Sequence, residues 1–353
     1  MNSAPAGPVT VVVATAFGME DIHLLTDIDG ADVVYRPELL GPAGNAPVPR
    51  AGEEPWRRTD EEQAAYAEML SGAEAVIGLP DASVGGLAGL IRLAPGLRWI
   101  QGAPAGTGEI VRRAGLTDEE LARVAITSGA GLYSAPLAEW AILGLLHFAK
   151  AVPRLTAERA AGIWKQKPVG TLAGQRLLVV GLGDIGRETA RLGAAFGMTV
   201  TGVRRTPGEA PEGVDRVAPP SQLAALAAEA DAVVLALPST PETDGLFSRE
   251  VIDALPAHAV VVNVGRGPTV DEPALVDALA AGRIGGAALD VTATEPLPAD
   301  SPLWTLPNVL LSPHSAAVVR DRPPKLLELA ADNLRRYVAG QPLRNLVDTV
   351  AFY

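Results

Sequence analysis

The chain of 353 residues contains no cysteine. This excludes a disulfide framework, thiolate catalysis and sulfur-ligated metals, and it suits a reducing cytoplasm. Positive charge is also scarce, with 29 Lys and Arg against 41 Asp and Glu, a formal net charge of −12. A surface that acidic argues against phosphate-backbone binding as the main activity, so no nucleic-acid partner is expected. Long hydrophobic runs are missing as well. The N-terminal stretch MNSAPAGPVTVVVATAFGMED lacks a basic n-region, and its apolar run is only as long as a strand, so it does not read as a signal peptide. The longest apolar helix candidate, Ala135 to Lys150, is too short to span a bilayer and contains Glu139; it reads as a buried helix, and no membrane association is expected. No metal site and no repeat of solenoid period stand out.

What is present points to a nucleotide. The stretch RLLVVGLGDIG, Arg176 to Gly186, joins a short apolar strand to Gly181, Gly183 and Gly186 at dinucleotide-binding spacing. The first glycine permits a tight turn, the second lets a pyrophosphate approach the backbone, and the third lets helix and strand pack closely. Asp184 and Ile185 lie between them, where the helix start aims N–H groups and dipole at phosphate, although the Asp184 carboxylate must then point away. Helical spacing over Arg187 to Phe196 and a second strand over Met198 to Val203 supply the context that the motif needs. The second strand ends on Arg204 and Arg205, two guanidinium groups where an acid would favour a free ribose diol. NADP(H) is therefore the preferred cofactor, with NAD(H) compatible.

Length predicts about two domains, each able to bury its own core. Strand candidates are Val9 to Ala14, Ala31 to Tyr35, Ala75 to Gly78, Trp99 to Gln101 and Val124 to Thr127, followed beyond the glycine loop by Ala232 to Leu237, Ala259 to Val264, Ala287 to Val291 and Val309 to Leu311. Helical patterns such as Glu272 to Ala281 separate them, and the Pro/Gly-rich segment Gly41 to Pro55 reads as a loop. Near-continuous apolar strands require a sheet covered on both faces, which predicts an α/β chain with doubly wound parallel sheets.

Three polar residues, Arg266, Glu295 and His314, fall at predicted strand ends, where an open parallel sheet places its ligand. Their surroundings, LALPSTPETDGLF, VVNVGRGPTVDEPALVDAL, ALDVTATEPLPADSPLWTLPNVLLSPHSA and NLRRYVAGQPLRNLVD, strongly resemble the D-isomer-specific 2-hydroxyacid dehydrogenases, of the glyoxylate and hydroxypyruvate reductase kind. The resemblance is clearest from about Ala135 to Asp348, and LRWIQGAPAGTGEI and ITSGAGLYSAPLAEWAI match more loosely. It implies two Rossmann-like or flavodoxin-like domains with an interdomain cleft. A substrate-binding domain is expected from residues 1–132 and 316–353, and a dinucleotide-binding domain from residues 133–315. A homodimer with the Ala135 to Lys150 helix near its interface is also implied.

The same resemblance implies roles residue by residue. Arg266 would hold a 2-oxo acid's carboxylate and polarise its carbonyl, His314 would exchange a proton with the substrate oxygen, and Glu295 would favour the protonated imidazole. Leu237, Pro238 and Thr243 would line the adenosine side of the cofactor, Val264 and Gly265 would run beneath the nicotinamide, and Asp290 would orient its carboxamide, with capping of the next turn as the alternative. Backbone N–H groups of Ala105 and Gly106 would receive the substrate carboxylate. The loop GAPAGTG departs from the family at Pro104 and Gly108, where glycine and aspartate are commoner. His23, His147 and His258 lack a matching motif and read as structural or solvated. Glyoxylate, hydroxypyruvate and bulkier 2-oxo acids remain open as substrates. A non-catalytic dinucleotide sensor of the same fold and a formate- or phosphite-type dehydrogenase are the alternatives.

Overall fold

Short runs of Val, Ile, Leu and Ala form two sheets, of five and seven strands, and every pairing within them is parallel. The computed structural model describes residues 7–41, 56–80, 84–104, 106–206, 208–318, 323–350 and 352. The chain divides into two units, one of Met1–Leu132 with Arg320–Tyr353 and one of Tyr133–Val319.

In the first unit, strands β1 (Val9–Val13), β2 (Ala31–Val34), β3 (Ala75–Ile77), β4 (Trp99–Gln101) and β5 (Ala125–Thr127) are ordered β2-β1-β3-β4-β5. This is the flavodoxin-like order. Successive side chains alternate between faces, and both faces are covered, so β1 is apolar throughout. Val9, Val11 and Val13 pack with Leu327, Ala330 and Leu334 of the helix Pro323–Val338. Val12 packs instead with Leu70 and Ile91, from the helices Asp60–Ser71 and Val84–Leu93. The chain's return thus closes one face of a sheet begun at the opposite end of the sequence.

The second unit holds β6 (Arg176–Val180), β7 (Thr199–Val203), β8 (Arg216–Ala218), β9 (Ala232–Leu235), β10 (Val260–Asn263), β11 (Gly286–Leu289) and β12 (Val309–Leu311). Their order is β12-β11-β10-β9-β6-β7-β8. The chain runs outward from β6 to β8, then crosses back to β9 on the other side of β6, which creates a topological switch point at the carboxyl ends of β6 and β9.

Most expected strands lie within two residues of the observed ones, but β8 was not anticipated. It is a three-residue edge strand with Arg216 exposed, too short to show a period. The helix expected from Arg187 starts at Asp184, because Gly183 is its N-cap rather than loop. The helix Ser134–Ala149 buries Leu137, Ala141, Ile142 and Leu145, whereas its Leu143 is 52% exposed, so it is buried on one side only. Residues 42–55 of the expected loop Gly41 to Pro55 lie outside the described residues. Among the described residues no single helix is long and apolar enough to cross a membrane.

Candidate active site

The glycine loop leaves β6 through Gly181 at φ 101°, a left-handed conformation that a side chain would resist. A Cβ there would also press on the Ala236 carbonyl at 2.7 Å, across the switch point. At Gly186 a Cβ would collide with the Gly181 carbonyl oxygen, so this glycine allows the helix Asp184–Ala195 to sit against the strand turn. Gly183 faces open space, with nothing within 4 Å of a Cβ built on it. These residues fit a pyrophosphate: an uncrowded glycine at the start of a helix whose first N–H groups lack intrahelical partners. The Asp184 carboxylate, which would oppose phosphate, is paired with Arg187 at 2.5 Å. Ile185 follows it in the first turn, its carbonyl accepting from Thr189 Oγ1 at 2.9 Å.

The two arginines beyond β7 differ. Arg204 turns back on its own loop, donating from Nη2 to the Glu209 carbonyl at 2.8 Å. Arg205 is exposed, and its charge helps hold Glu242, whose carboxyl lies below the usual range chiefly through a hydrogen bond from Thr240. Glu242 was not anticipated, and it puts an acid near the cation expected to meet a 2′-phosphate. After β9, Thr243 is engaged in its own turn, donating to the Pro238 carbonyl at 2.6 Å and accepting from Thr240 N at 2.8 Å. Leu237 stands beside the glycine loop, its Cδ2 2.9 Å from a Cβ built on Gly181.

Beyond β10, the chain turns through Val264, Gly265 and Arg266. Buried Asn263 shapes this turn, its Oδ1 accepting from Gly265 N at 3.0 Å and its Nδ2 donating to the Arg266 carbonyl at 3.1 Å. The polar end of the run VVVN was its only signal in the sequence. Arg266 is partly buried, with Nη1 on the Gly265 carbonyl at 2.8 Å.

Glu295 and His314, 19 residues apart, meet in a 2.8 Å hydrogen bond between Oε2 and Nδ1. Glu295 Oε1 also accepts from Thr292 N at 3.2 Å, and the loop is clamped from the side by Glu272, whose Oε2 accepts from Ala293 N at 2.7 Å. The bond to Glu295 raises the imidazole pKa; burial and the Arg266 charge oppose the rise, and the Glu295 charge reinforces it. For Glu295 itself, burial pushes upward, but the His314 bond and charge outweigh it and hold the carboxyl below its usual range. Because the Arg266 charge bears on both groups, the three expected residues form one electrostatic cluster.

His314 adopts φ 50°, and Asp290 builds the turn around it. The Asp290 carbonyl accepts from His314 N at 2.8 Å, while its Oδ1 accepts from Ser312 Oγ, Ser315 N and Ala316 N at 2.6, 2.8 and 2.9 Å. This is the capping arrangement weighed against cofactor contact for this residue.

In the first unit, Gly106 is the N-cap of the helix Thr107–Arg113, and Gly108 is buried within it. Ala105 lies outside the described residues. Of the remaining histidines, His23 bonds the Glu20 carbonyl at 2.6 Å and His147 meets Phe148 edge-on at 4.9 Å. His258 pairs with Asp231 at 2.8 Å, beside Arg176.

Comparison with known proteins agrees with this geometry. Residues 142–316 match the D-isomer specific 2-hydroxyacid dehydrogenase, NAD binding domain family. A crystal structure of a D-isomer specific 2-hydroxyacid dehydrogenase from Xanthobacter autotrophicus Py2, in complex with NADPH and MES, is 31% identical, with a TM-score of 0.77 over 98% of this chain and 100% of that one. The glyoxylate reductase of Korarchaeum cryptofilum is 34% identical over 232 residues, 63% of this chain and 69% of the relative. The hydroxyphenylpyruvate reductase of Plectranthus scutellarioides is 38% identical over 185 residues, 52% of this chain and 58% of the relative. Two parallel sheets, a nucleotide-type glycine turn and a histidine–glutamate pair at one sheet's carboxyl edge thus accompany extended sequence similarity: the chain belongs to the D-isomer specific 2-hydroxyacid dehydrogenase family of NAD(P)-dependent oxidoreductases.

Proposed function

We propose that the chain reduces a 2-oxo acid to a D-2-hydroxy acid, preferring NADPH, with Arg266, Glu295 and His314 as its catalytic residues. The observation that carries this reading is the 2.8 Å bond from Glu295 to His314 Nδ1, with the charge of Arg266 bearing on both partners. Since Nδ1 is committed to Glu295, Nε2 is the nitrogen that gives a proton to the substrate oxygen on reduction and takes it back on oxidation. Arg266 offers a planar fork to the carboxylate and stabilises negative charge developing on the oxygen. The nicotinamide, when bound, supplies the hydride.

Gly181, Gly183, Asp184, Ile185 and Gly186 would hold the pyrophosphate. Leu237, Pro238 and Thr243 would line the adenosine, with Val264, Gly265 and Asp290 toward the nicotinamide. Arg204 and Arg205 would meet a 2′-phosphate, Arg205 being the more exposed of the two. The first unit would be the substrate-binding domain, its loop at Ala105 and Gly106 offering N–H groups to the carboxylate. Apolar exposure at Leu155 (47%), Ile163 (51%) and Trp164 (99%) in the second unit supports a homodimer.

The test is initial-rate absorbance with NADPH and NADH against glyoxylate, hydroxypyruvate and an aromatic 2-oxo acid. We expect turnover with at least one acid and a higher kcat/KM for NADPH, which Arg205→Ala reduces about tenfold through loss of a charge-assisted contact. No turnover with any of these acids overturns the reading.

A further inference from the structure

The end of β4 carries an amide with every hydrogen-bonding position in use. Gln101 is fully buried; its Oε1 accepts from Asn333 Nδ2 at 2.8 Å and from Thr127 Oγ1 at 2.9 Å. Its Nε2 donates to the carbonyls of Gly102 at 3.0 Å and Ser128 at 3.2 Å. Asn333, also fully buried, lies 232 residues away on the helix Pro323–Val338. It reaches onward to Arg344, donating to its carbonyl at 3.2 Å and accepting from its N–H at 2.8 Å. Next in the chain, Asn345 donates to the Ala130 carbonyl at 2.8 Å, and its own carbonyl accepts from Ser128 N at 2.9 Å.

These bonds converge on the two loops that leave β4 and β5. Gly102 and Ser128 are the first residues of those loops, and Gly129 N donates to the Pro104 carbonyl at 3.1 Å, tying one loop to the other. Thr107 Oγ1 also donates to the Pro104 carbonyl, at 2.6 Å. A Cβ on Gly129 would collide with the Ala103 carbonyl, so the loops are packed backbone against backbone. A buried amide serving only to fill the core would be matched by an apolar side chain, whereas a fully satisfied network holds its partners in one geometry.

We propose that Gln101 and Asn333 are positioning residues that set Gly102 to Pro104 and the N–H of Gly106 for a carboxylate, so that the returning C-terminal segment governs substrate affinity. This rests on the reading that the loop N–H groups receive the substrate carboxylate.

The experiment measures kcat and KM for glyoxylate at saturating NADPH, with NADPH Kd from nucleotide fluorescence, in the full chain. Asn333→Leu should raise the glyoxylate KM about tenfold, the effect of one lost hydrogen bond, with kcat and NADPH Kd within twofold. Asn345→Gly keeps the left-handed backbone at φ 55° and disturbs the core less; it should raise KM in the same sense, and it carries the test if Asn333→Leu does not fold. Gly106→Pro, at a φ of −79° that proline tolerates, removes one of the receiving N–H groups and tests the underlying reading. If Gly106→Pro raises KM while the two asparagine variants leave it unchanged, or lower kcat instead, the positioning role is overturned and the loop reading stands. An unchanged KM in Gly106→Pro overturns both.

Discussion

Two histidine–carboxylate pairs lie at opposite ends of the seven-stranded sheet, each with a 2.8 Å contact. Asp231 and His258 precede β9 and β10, whereas Glu295 and His314 follow β11 and β12. At the amino ends, Asp231 also accepts from Arg176 N at 2.7 Å and from its guanidinium at 3.4 Å, so that one carboxylate staples the start of β6. Burial pushes Asp231 upward, but the bonds from His258 and Arg176 prevail and keep it ionised. At the carboxyl ends, the partner of Glu295 stands among the loops that leave the strands, on the same edge as the glycine turn. An open parallel sheet presents its ligand-binding loops only at that edge. The same two functional groups therefore act as a staple at one strand end and, in the function proposed above, as a proton-transfer device at the other.

The largest predicted effect separates the two imidazoles. His314→Ala should lower kcat for 2-oxo acid reduction about 10²–10⁴-fold, with NADPH affinity within twofold, while His258→Ala leaves kcat nearly unchanged. Comparable losses in steady-state kinetics would break the distinction. A subtler difference concerns pH. In the proposed mechanism reduction needs protonated His314, so the rate should be high at low pH and fall as pH rises through the histidine's raised pKa. Glu295→Gln removes the group that raises it, and the alkaline limb of the kcat/KM profile should move to lower pH; Asp231→Asn should leave that limb in place. The smallest effect is on stability. Asp231→Ala should cost about 1–3 kcal/mol, reduced by its partial exposure, read as a lower thermal midpoint with kcat retained.

Local features were the most legible in the sequence. The turn at Gly181 and the close packing at Gly186 follow from a turn and a helix start within 11 residues, and the structure has both, with open space beside Gly183. Arg266, Glu295 and His314 were found through their flanking motifs rather than through any spacing of their own. The clamps around them were not legible. Asn263 and Glu272 act through backbone N–H and carbonyl groups of turns whose shape no periodicity reveals. Arg204 looked equivalent to Arg205 in the string VRRT, yet a loop carbonyl five residues on captures one of them. Gln101 and Asn333 carried no signal at all, since their pairing exists only once the last long helix covers the first sheet.

Sequence alone determined the α/β architecture, the nucleotide-type turn and the chemistry available at strand ends, because apolar periodicity and glycine conformation act over a few neighbouring residues. Tertiary structure decided which polar groups meet. A hydrogen bond forms only when donor and acceptor come within about 3 Å at the right angle, and for Glu295 with His314, or Gln101 with Asn333, that closeness is set by the packing of elements far apart in the chain.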